Sequence, residues 1–476
     1  MAKAAQAVRN EQAVFGKSPA ERRTIVKVQE HLSAISTILS VATKVNFRYA
    51  SRYSNMTAST THPTKLPCLT EQFPPIHAVA KRCYEDFRVE EVAAYDPVGS
   101  GDHCFFTIEK RGIATMRAVS DIARNLDVPQ KNIGLAGLKD ARAVAVQTLS
   151  VEHVDPKRIE ALKIPRIRIL GVARHQNKLK IGHLRGNRFI IRLRDMDPGR
   201  IDDMRRICDI LVRRGVPNYF GSQRFGSRGD TWQLGKGVLH NDAETVIDLM
   251  LGRPGPSDTG DVLKARSLYA AGKYAAAAKA WPHLFRDLAR VCRVMDRTGG
   301  KHRRAYHAID ARLKKFYVNA YQSHMFNRVL AGRIETLDQV RVGDLAYKHG
   351  VGAVFLVEDA EQEQARAAAF EISPTGPIFG YRMTPAQNET GRCEEDILQD
   401  EGISLEDFRS LRRMKIHGSR RPLRFRPEAL ELDDGNDELG PFVELRFTLP
   451  AGCYATMLLR EICKEGLEEA SVPNRE

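Results

Sequence analysis

The chain has 476 residues, of which 74 are Lys or Arg and 59 are Asp or Glu, so its formal net charge is +15. A hydrophobic share of 42% and a charged share of 28% match an ordinary globular protein of about two domains and exclude disorder of the whole chain. No run of about 18 apolar residues is present to cross a bilayer, and Met1-Ala-Lys-Ala-Ala-Gln6 lacks the apolar stretch of a secretory signal, which points to the cytoplasm.

Residues 1–60 read as an N-terminal extension, helical or partly disordered. Ile25, Val28, Leu32, Ile35 and Leu39 recur at spacings of three and four within 18–44, and a Ser/Thr/Pro-rich linker follows over 57–67. From about 81 to 195 the texture changes to short strand-like runs. Cys104, Phe106 and Ile108 alternate with Phe105, Thr107 and Glu109, which predicts a strand over 103–110. Met116, Val119, Ile122, Ala123 and Leu126 predict a helix that ends before Pro129. Strands are predicted at 132–138 and 143–151, and strand, helix and strand in that order mark an α/β or α+β layer. Residues 240–295 turn alanine-rich and helical. Leu313, Tyr317, Tyr321, Met325 and Val329 make a row at intervals of four over 311–330. Strand alternation returns at 442–449, so 244–428 reads as an α+β insertion in a β-rich domain that resumes at 429–476.

The eight cysteines show neither a Cys-x-x-Cys pair nor zinc-ligand spacing, so reduced thiols are expected. Basic residues are unevenly spread. Residues 157–194 hold twelve Lys or Arg against Glu160 alone, and 411–426 hold seven with no acid. A strand period over 187–194 puts Arg188, Arg192 and Arg194 on one face and Phe189, Ile191 and Leu193 on the other. The acidic stretch 428–438 reads as a soluble loop. Two dense basic runs make nucleic acid the leading partner class, because each cation set beside a phosphate releases a condensed counterion.

The segment richest in chemical content is Gly134-Leu-Ala-Gly-Leu-Lys-Asp-Ala-Arg-Ala-Val-Ala-Val-Gln147. Its Lys139-Asp140 pair falls where two predicted strands are joined, a place where a side chain stands exposed on rigid supports. On spacing alone Asp140 reads first as a turn-capping residue. Held beside a cation, however, its carboxylate would stay ionised, as a nucleophile or electrostatic stabiliser requires.

Six further segments occur in order with Gly137-Leu-Lys-Asp140: Glu85-Asp-Phe-Arg-Val-Glu-Glu91, Asn218-Tyr-Phe-Gly-Ser-Gln-Arg-Phe-Gly226, Tyr321-Gln-Ser323, Ser373-Pro-Thr-Gly-Pro377, Gly418-Ser-Arg-Arg-Pro-Leu423 and Leu449-Pro-Ala-Gly-Cys-Tyr-Ala-Thr456. Together they closely resemble the TruD family of RNA pseudouridine synthases, the tRNA pseudouridine-13 synthase type, from about residue 74 to 465. The resemblance implies a pseudouridine-synthase α/β (α+β) core, with a mixed, mainly antiparallel sheet flanked by helices and an inserted α+β domain. Residues 61–243 and 429–476 would then form the catalytic domain. It implies Asp140 as the catalytic carboxylate with Lys81 as its cationic neighbour. Phe87 would form a wall for the target nucleotide, Asn218 and Phe220 would contact and stack on the base, and Tyr454 would be the last pocket aromatic. The basic faces carrying Arg188, Arg192, Arg194, Arg420 and Arg421 would then hold RNA phosphates.

The sequence departs from the family pattern at Tyr84, Ala141, Ala145 and Tyr454, which bears on local salt bridges and substrate choice rather than on the reaction. Isomerising uridine changes no redox state and gains or loses no group, so no metal or organic cofactor is expected. Neither an obligate protein partner nor a membrane is called for. Two other classes fit parts of the pattern. One is an RNA-binding or folding-assistant protein of the same ancestry. The other is an acid-assisted nucleic-acid hydrolase, although the chain shows no paired acidic motif for two metals.

Overall fold

The computed structural model describes residues 66–470; the N-terminal extension and its expected helix over 18–44 lie outside the described residues. Ten strands form one sheet: β1 (Ala78–Ala80), β2 (Phe87–Ala93), β3 (His103–Arg111), β4 (Gly134–Leu135), β5 (Val144–Glu152), β6 (Ile167–His175), β7 (Leu184–Arg194), β14 (Glu428–Asp437), β15 (Gly440–Pro450) and β16 (Leu467–Glu469). The order is β14-β15-β7-β2-β5-β3-β6, with β1 bridging β7 and β16, and β4 paired to β5. Along this path only β2–β5 is parallel. The sheet is therefore mixed and mainly antiparallel, as expected.

The registers put one row of side chains on a common face: Lys110 opposite Ala145, Ala145 opposite Val89, Val89 opposite Phe189, and Phe189 opposite Phe447. Two helical layers cover this face. Helix α1 (Thr115–Leu126) sets Ala118, Val119, Ile122 and Leu126 against Cys104, Phe106, Ile108, Leu149 and Val151; Asp127, in the left-handed region at φ 56, ends it. A short helix, α2 (Pro156–Glu160), adds Ile159 to the same cluster. Helix α3 (Ile201–Arg214) and, at the far end of the chain, a helix over Ala455–Cys463 cover Phe189, Ile191, Leu193, Leu445 and Phe447. Each such Val, Leu, Ile or Phe contributes about 1.5–3 kcal/mol by leaving water. The strip β2–β5 lies between the two layers.

The insertion leaves and re-enters the core through adjacent chains. β8 (Val216–Pro217) pairs with β13 (Arg424–Phe425). Between them run helices α4 (Thr231–Leu239), α5 (Ala243–Leu251), α6 (Gly260–Ala270), α7 (Tyr274–Ala280), α8 (Arg286–Arg297), α9 (His302–His307) and α10 (Ala311–Gly332). They are followed by a four-stranded sheet, β10-β9-β11-β12, made of β9 (Leu345–Lys348), β10 (Val354–Leu356), β11 (Ile372–Ile378) and β12 (Ser419–Pro422). Its connections carry α11 (Ala360–Ala368), α12 (Asn388–Glu401) and α13 (Leu405–Ser410), so the Ala455–Cys463 helix is α14. Leu313, Tyr317, Tyr321 and Met325 of α10 pack in the helical cluster, whereas its Phe326 and Leu330 belong to the core under the large sheet. One helix thus joins both cores.

Two expectations change. The strand predicted over 132–138 is only the two residues of β4, preceded by a single 3-10 turn: beyond it the Ala136 carbonyl accepts from the Gly182 N–H, and Lys139 and Asp140 bond to the side chains of Thr115 and Lys110. The acidic stretch 428–438 is an edge strand, not a loop: its acids are drawn into ion pairs with arginines of β7 and β15. All eight cysteines are free, and no helix among the described residues is long and apolar enough to cross a membrane.

Candidate active site

The loop between β4 and β5 is fixed from several sides. At Gly134 a Cβ would lie 2.3 Å from the Leu179 carbonyl oxygen, so only glycine fits. Lys139 Nζ meets Glu91 Oε1 at 2.6 Å, both side chains being buried, and Glu91 Oε2 accepts from the Thr148 N–H. Thr115, in the first turn of α1, accepts from the Lys139 N–H at 3.0 Å and donates to Gln147 Oε1 at 2.9 Å. From β3, Lys110 Nζ donates to the carbonyls of Asp140 and Ile113, each at 2.7 Å. Asp140 is thereby held through its backbone, and its own Oδ1 accepts from the Arg142 N–H at 2.9 Å.

Lys81 reaches the same carboxylate from β1. The strand ends at Ala80, and Lys81 adopts φ 57, a left-handed conformation that costs about 1 kcal/mol or more in a non-glycine residue. This turn directs Nζ to within 2.8 Å of Asp140 Oδ2 and 3.0 Å of Glu469 Oε1, and 4.7 Å above the Phe87 ring. The Lys81 side chain is 5% exposed and that of Asp140 is 32% exposed, so the ammonium is sealed beneath a carboxylate that solvent can reach. Burial pushes the Asp140 carboxyl up, but the Lys81 charge and hydrogen bond, the Arg142 N–H and the Lys110 charge outweigh it and hold the group below its ordinary value. Burial likewise pulls Lys81 down, and Asp140 with Glu469 more than offsets it, leaving the ammonium firmly charged.

Lys110 behaves differently. Its burial prevails over the Asp140 charge and lowers its pKa to about 8. A base with a depressed folded-state pKa binds fewer protons than in the unfolded chain between about 8 and its ordinary 10.5, so its contribution makes stability rise with pH across that window. Thermal unfolding followed over this range is expected to show the rise, and Lys110→Met to flatten it; an unchanged slope in the variant would remove Lys110 as its source.

A second group follows β8. Asn218 is buried; its N–H donates to the Leu423 carbonyl at 2.8 Å, its Nδ2 to the Pro422 carbonyl at 2.9 Å, and its Oδ1 accepts from Arg421 Nη2. Phe220 is half-buried. Asn327 of α10 both accepts from its N–H and donates to its carbonyl, each at 2.9 Å. The Arg421 guanidinium lies 4.4 Å above the Phe220 ring. Tyr454 is exposed and immediately precedes α14, whose Met457 and Thr456 abut Gly221. Phe87 and Phe220 belong to one contiguous apolar cluster together with Met457. Among the described residues no hydrogen bond or ion pair joins Asp140 to Asn218 or Phe220, so the apolar floor is what links the two groups.

The expected phosphate-binding arginines are placed differently from one another. Arg188 is half exposed, 3.7 Å from Glu90. Arg192 is tied to Glu444 at 2.8 Å and Asp437 at 3.2 Å. Arg194 is fully buried, at 2.7 Å from Asp86 and 2.8 Å from Asp437. By alternation all three face away from Phe189 and Ile191, hence away from the face carrying Phe87. Arg420 is buried in a bidentate pair with Glu394 at 2.6 and 2.8 Å. The structure thus corrects the expectation for Arg194 and Arg420: each is neutralised inside the fold by carboxylates far away in sequence, and neither presents its charge at a surface. Among the described residues no cluster of His, Cys, Asp and Glu is arranged to hold a metal ion.

Lys110, Glu469, the Glu91–Lys139 pair and Arg224 were not singled out from the sequence. Lys110 had a signal, as the one cation continuing the apolar row 104, 106, 108. Glu469 had none, since its partner is 388 residues away.

The site thus consists of a mixed sheet with helices on one face and a loop carboxylate paired to a buried ammonium beside it. The family model described as tRNA pseudouridine synthase D (TruD) matches residues 65–462. The chain is 42% identical over 396 residues to tRNA pseudouridine synthase D of Geobacter sulfurreducens, covering 83% of this chain and 96% of that protein. It is 41% identical over 398 residues to the protein of the same name from Geobacter sp. strain M21, covering 83% and 98%. A crystal structure from Methanosarcina mazei assigned to tRNA pseudouridine synthase D (TruD) superposes with a TM-score of 0.72 at 27% identity, covering 84% of this chain and 96% of that one. The chain belongs to the TruD family of tRNA pseudouridine synthases, which are isomerases.

Proposed function

We propose that this protein isomerises one uridine of tRNA to pseudouridine, of the position-13 type, with Asp140 as the catalytic carboxylate and no cofactor. The observation that carries the reading is the ion pair at 2.8 Å between a buried Lys81 and a solvent-accessible Asp140. In the reaction the bond from ribose C1′ to N1 breaks and one from C1′ to C5 forms, while the C5 proton is lost and N1 ends protonated. Asp140 acts on the nucleoside as an ionised oxygen donor. Lys81 keeps it ionised, and Lys110 with Arg142 fixes its approach, because much of the rate comes from orientation.

The target uridine must leave its stack, at a cost of a few kcal/mol. Phe87 supplies apolar floor, Phe220 and Tyr454 flank the extruded nucleotide, and Asn218 keeps a second amide hydrogen and a second lone pair to meet the base. Arg188 and Arg192, which face away from Phe87, contact more distant parts of the RNA where their carboxylate partners leave capacity. The cytoplasm, where tRNA matures, is the matching compartment, and no obligate protein partner is required.

The direct test is incubation with an unmodified tRNA transcript followed by chemical mapping of pseudouridine. One new site at position 13 is expected. Conversion elsewhere would overturn the position, and binding without conversion would favour an RNA-binding role. A second test concerns Lys81. With the ammonium removed in Lys81→Met, the upward push of burial on Asp140 loses its main opponent. The acid limb of the pH–rate profile is therefore expected to move from below the ordinary carboxylate value, 3.8, to above it. An acid limb that stays in place would show that Lys81 does not control the carboxylate.

A further inference from the structure

Resting on the reading above, we infer that Arg224 and Arg421 form a clamp for a single phosphate of the RNA next to the extruded uridine. Both guanidinium groups lie over the same ring, at 5.6 Å and 4.4 Å from the centre of Phe220. Both are half-buried, and among the described residues neither has a carboxylate within ion-pair distance. Their protein partners are neutral: Arg224 donates to Ser323 Oγ at 3.0 Å, and Arg421 donates to Asn218.

This sets them apart from other arginines expected to hold phosphate. Arg192, Arg194 and Arg420 all carry acids. Two like charges placed together and partly removed from water repel, and burial pushes both Arg224 and Arg421 down from the usual guanidinium value. Such an arrangement lacks an anion, and planar donors in a fork suit the oxygens of a phosphate. Tyr454, exposed at the start of α14, follows directly on the Gly452 carbonyl and Cys453, and Arg421 donates to that carbonyl at 3.4 Å. A phosphodiester seated there fixes the nucleotide it belongs to against Phe220, so the clamp positions the base as well as adding affinity.

The test is binding of a full tRNA transcript by the full-length chain across a range of monovalent salt. Arg224→Gln is expected to weaken binding about tenfold at low salt and to make the plot of log Kd against log salt shallower by about 1. Arg224→Lys should restore the slope. Because Arg421 also holds Asn218, Arg421→Gln should lose the same slope and additionally lower kcat. A transcript with one neutral methylphosphonate linkage beside the converted uridine should bind the native chain as weakly as the normal transcript binds Arg224→Gln. It should bind the variant no more weakly still. Unchanged slopes in both variants, or a methylphosphonate penalty that adds fully to the variant's, would overturn the clamp. A native chain that binds transcript with the steep slope but converts no uridine would overturn the enzymatic reading instead, so the two failures are distinct.

Discussion

Replacing Asp140 by asparagine is expected to lower isomerisation by about 10⁴-fold or more, the range seen when a charged member of a catalytic group is removed, with tRNA affinity nearly unchanged. The variant keeps the shape of the side chain and an oxygen able to accept from the Arg142 N–H, and the backbone bond from Lys110 to the Asp140 carbonyl is untouched. What it removes is the negative charge that Lys81 faces. Lys81 retains Glu469 at 3.0 Å, so the ammonium is not left without a carboxylate and the loop should stay folded. Single-turnover conversion and equilibrium binding of the same transcript separate the two effects. Retained turnover would refute Asp140 as the catalytic group; a parallel loss of affinity would mean that the carboxylate supports the RNA-binding surface rather than the chemistry.

The second large effect is on stability. Arg194→Ala is expected to destabilise the fold by about 3–5 kcal/mol, the cost of leaving a buried charge without its partner. Asp86 is wholly buried and meets Arg194 through both oxygens; its other contact is the Cys83 N–H at 3.2 Å. Asp437, by contrast, is partly exposed and can return to water. Removing both buried charges, as in Arg194→Met with Asp86→Leu, should recover much of the loss, because the stranded carboxylate is gone. Arg188→Ala on the same strand, whose pair with Glu90 is exposed, should cost under about 1 kcal/mol. Denaturant unfolding of the four chains decides it: a cost for Arg194→Ala as small as that for Arg188→Ala would show that Asp86 is not stranded. The turn Tyr84–Asp86 leads directly into β2, so loosening it also frees the segment between Lys81 and Phe87.

Much of this was legible in the chain alone where the signal is local. The alternation 104, 106, 108 and the rows of α1 and α10 report which side chains leave water, and each produced an element within a residue or two of its expected ends. The segment around Asp140 was legible because glycine, lysine and aspartate at that spacing carry both a backbone and a chemical requirement. Charge was legible only as density. Arg188, Arg192 and Arg194 share a face as expected, but whether that face meets solvent depends on Asp86 and Asp437, which lie 108 and 243 residues away. The acidic run at 428–438 failed as a loop for the same reason. A polar strand is stabilised by cross-strand ion pairs that no local window contains. Arg421, from the acid-free run 411–426, has no carboxylate partner among the described residues, in keeping with that density, whereas Arg224, outside either basic run, also has none.

Asn327 clasps both backbone polar groups of Phe220 from the last third of a helix whose two ends serve different cores. The position of that rod therefore sets the position of Phe220 directly, through two hydrogen bonds of 2.9 Å rather than through an intervening loop. On the proposed reading, in which Phe220 flanks the nucleotide, a substitution in the remote bundle is expected to alter RNA preference before it alters the pair of Asp140 and Lys81.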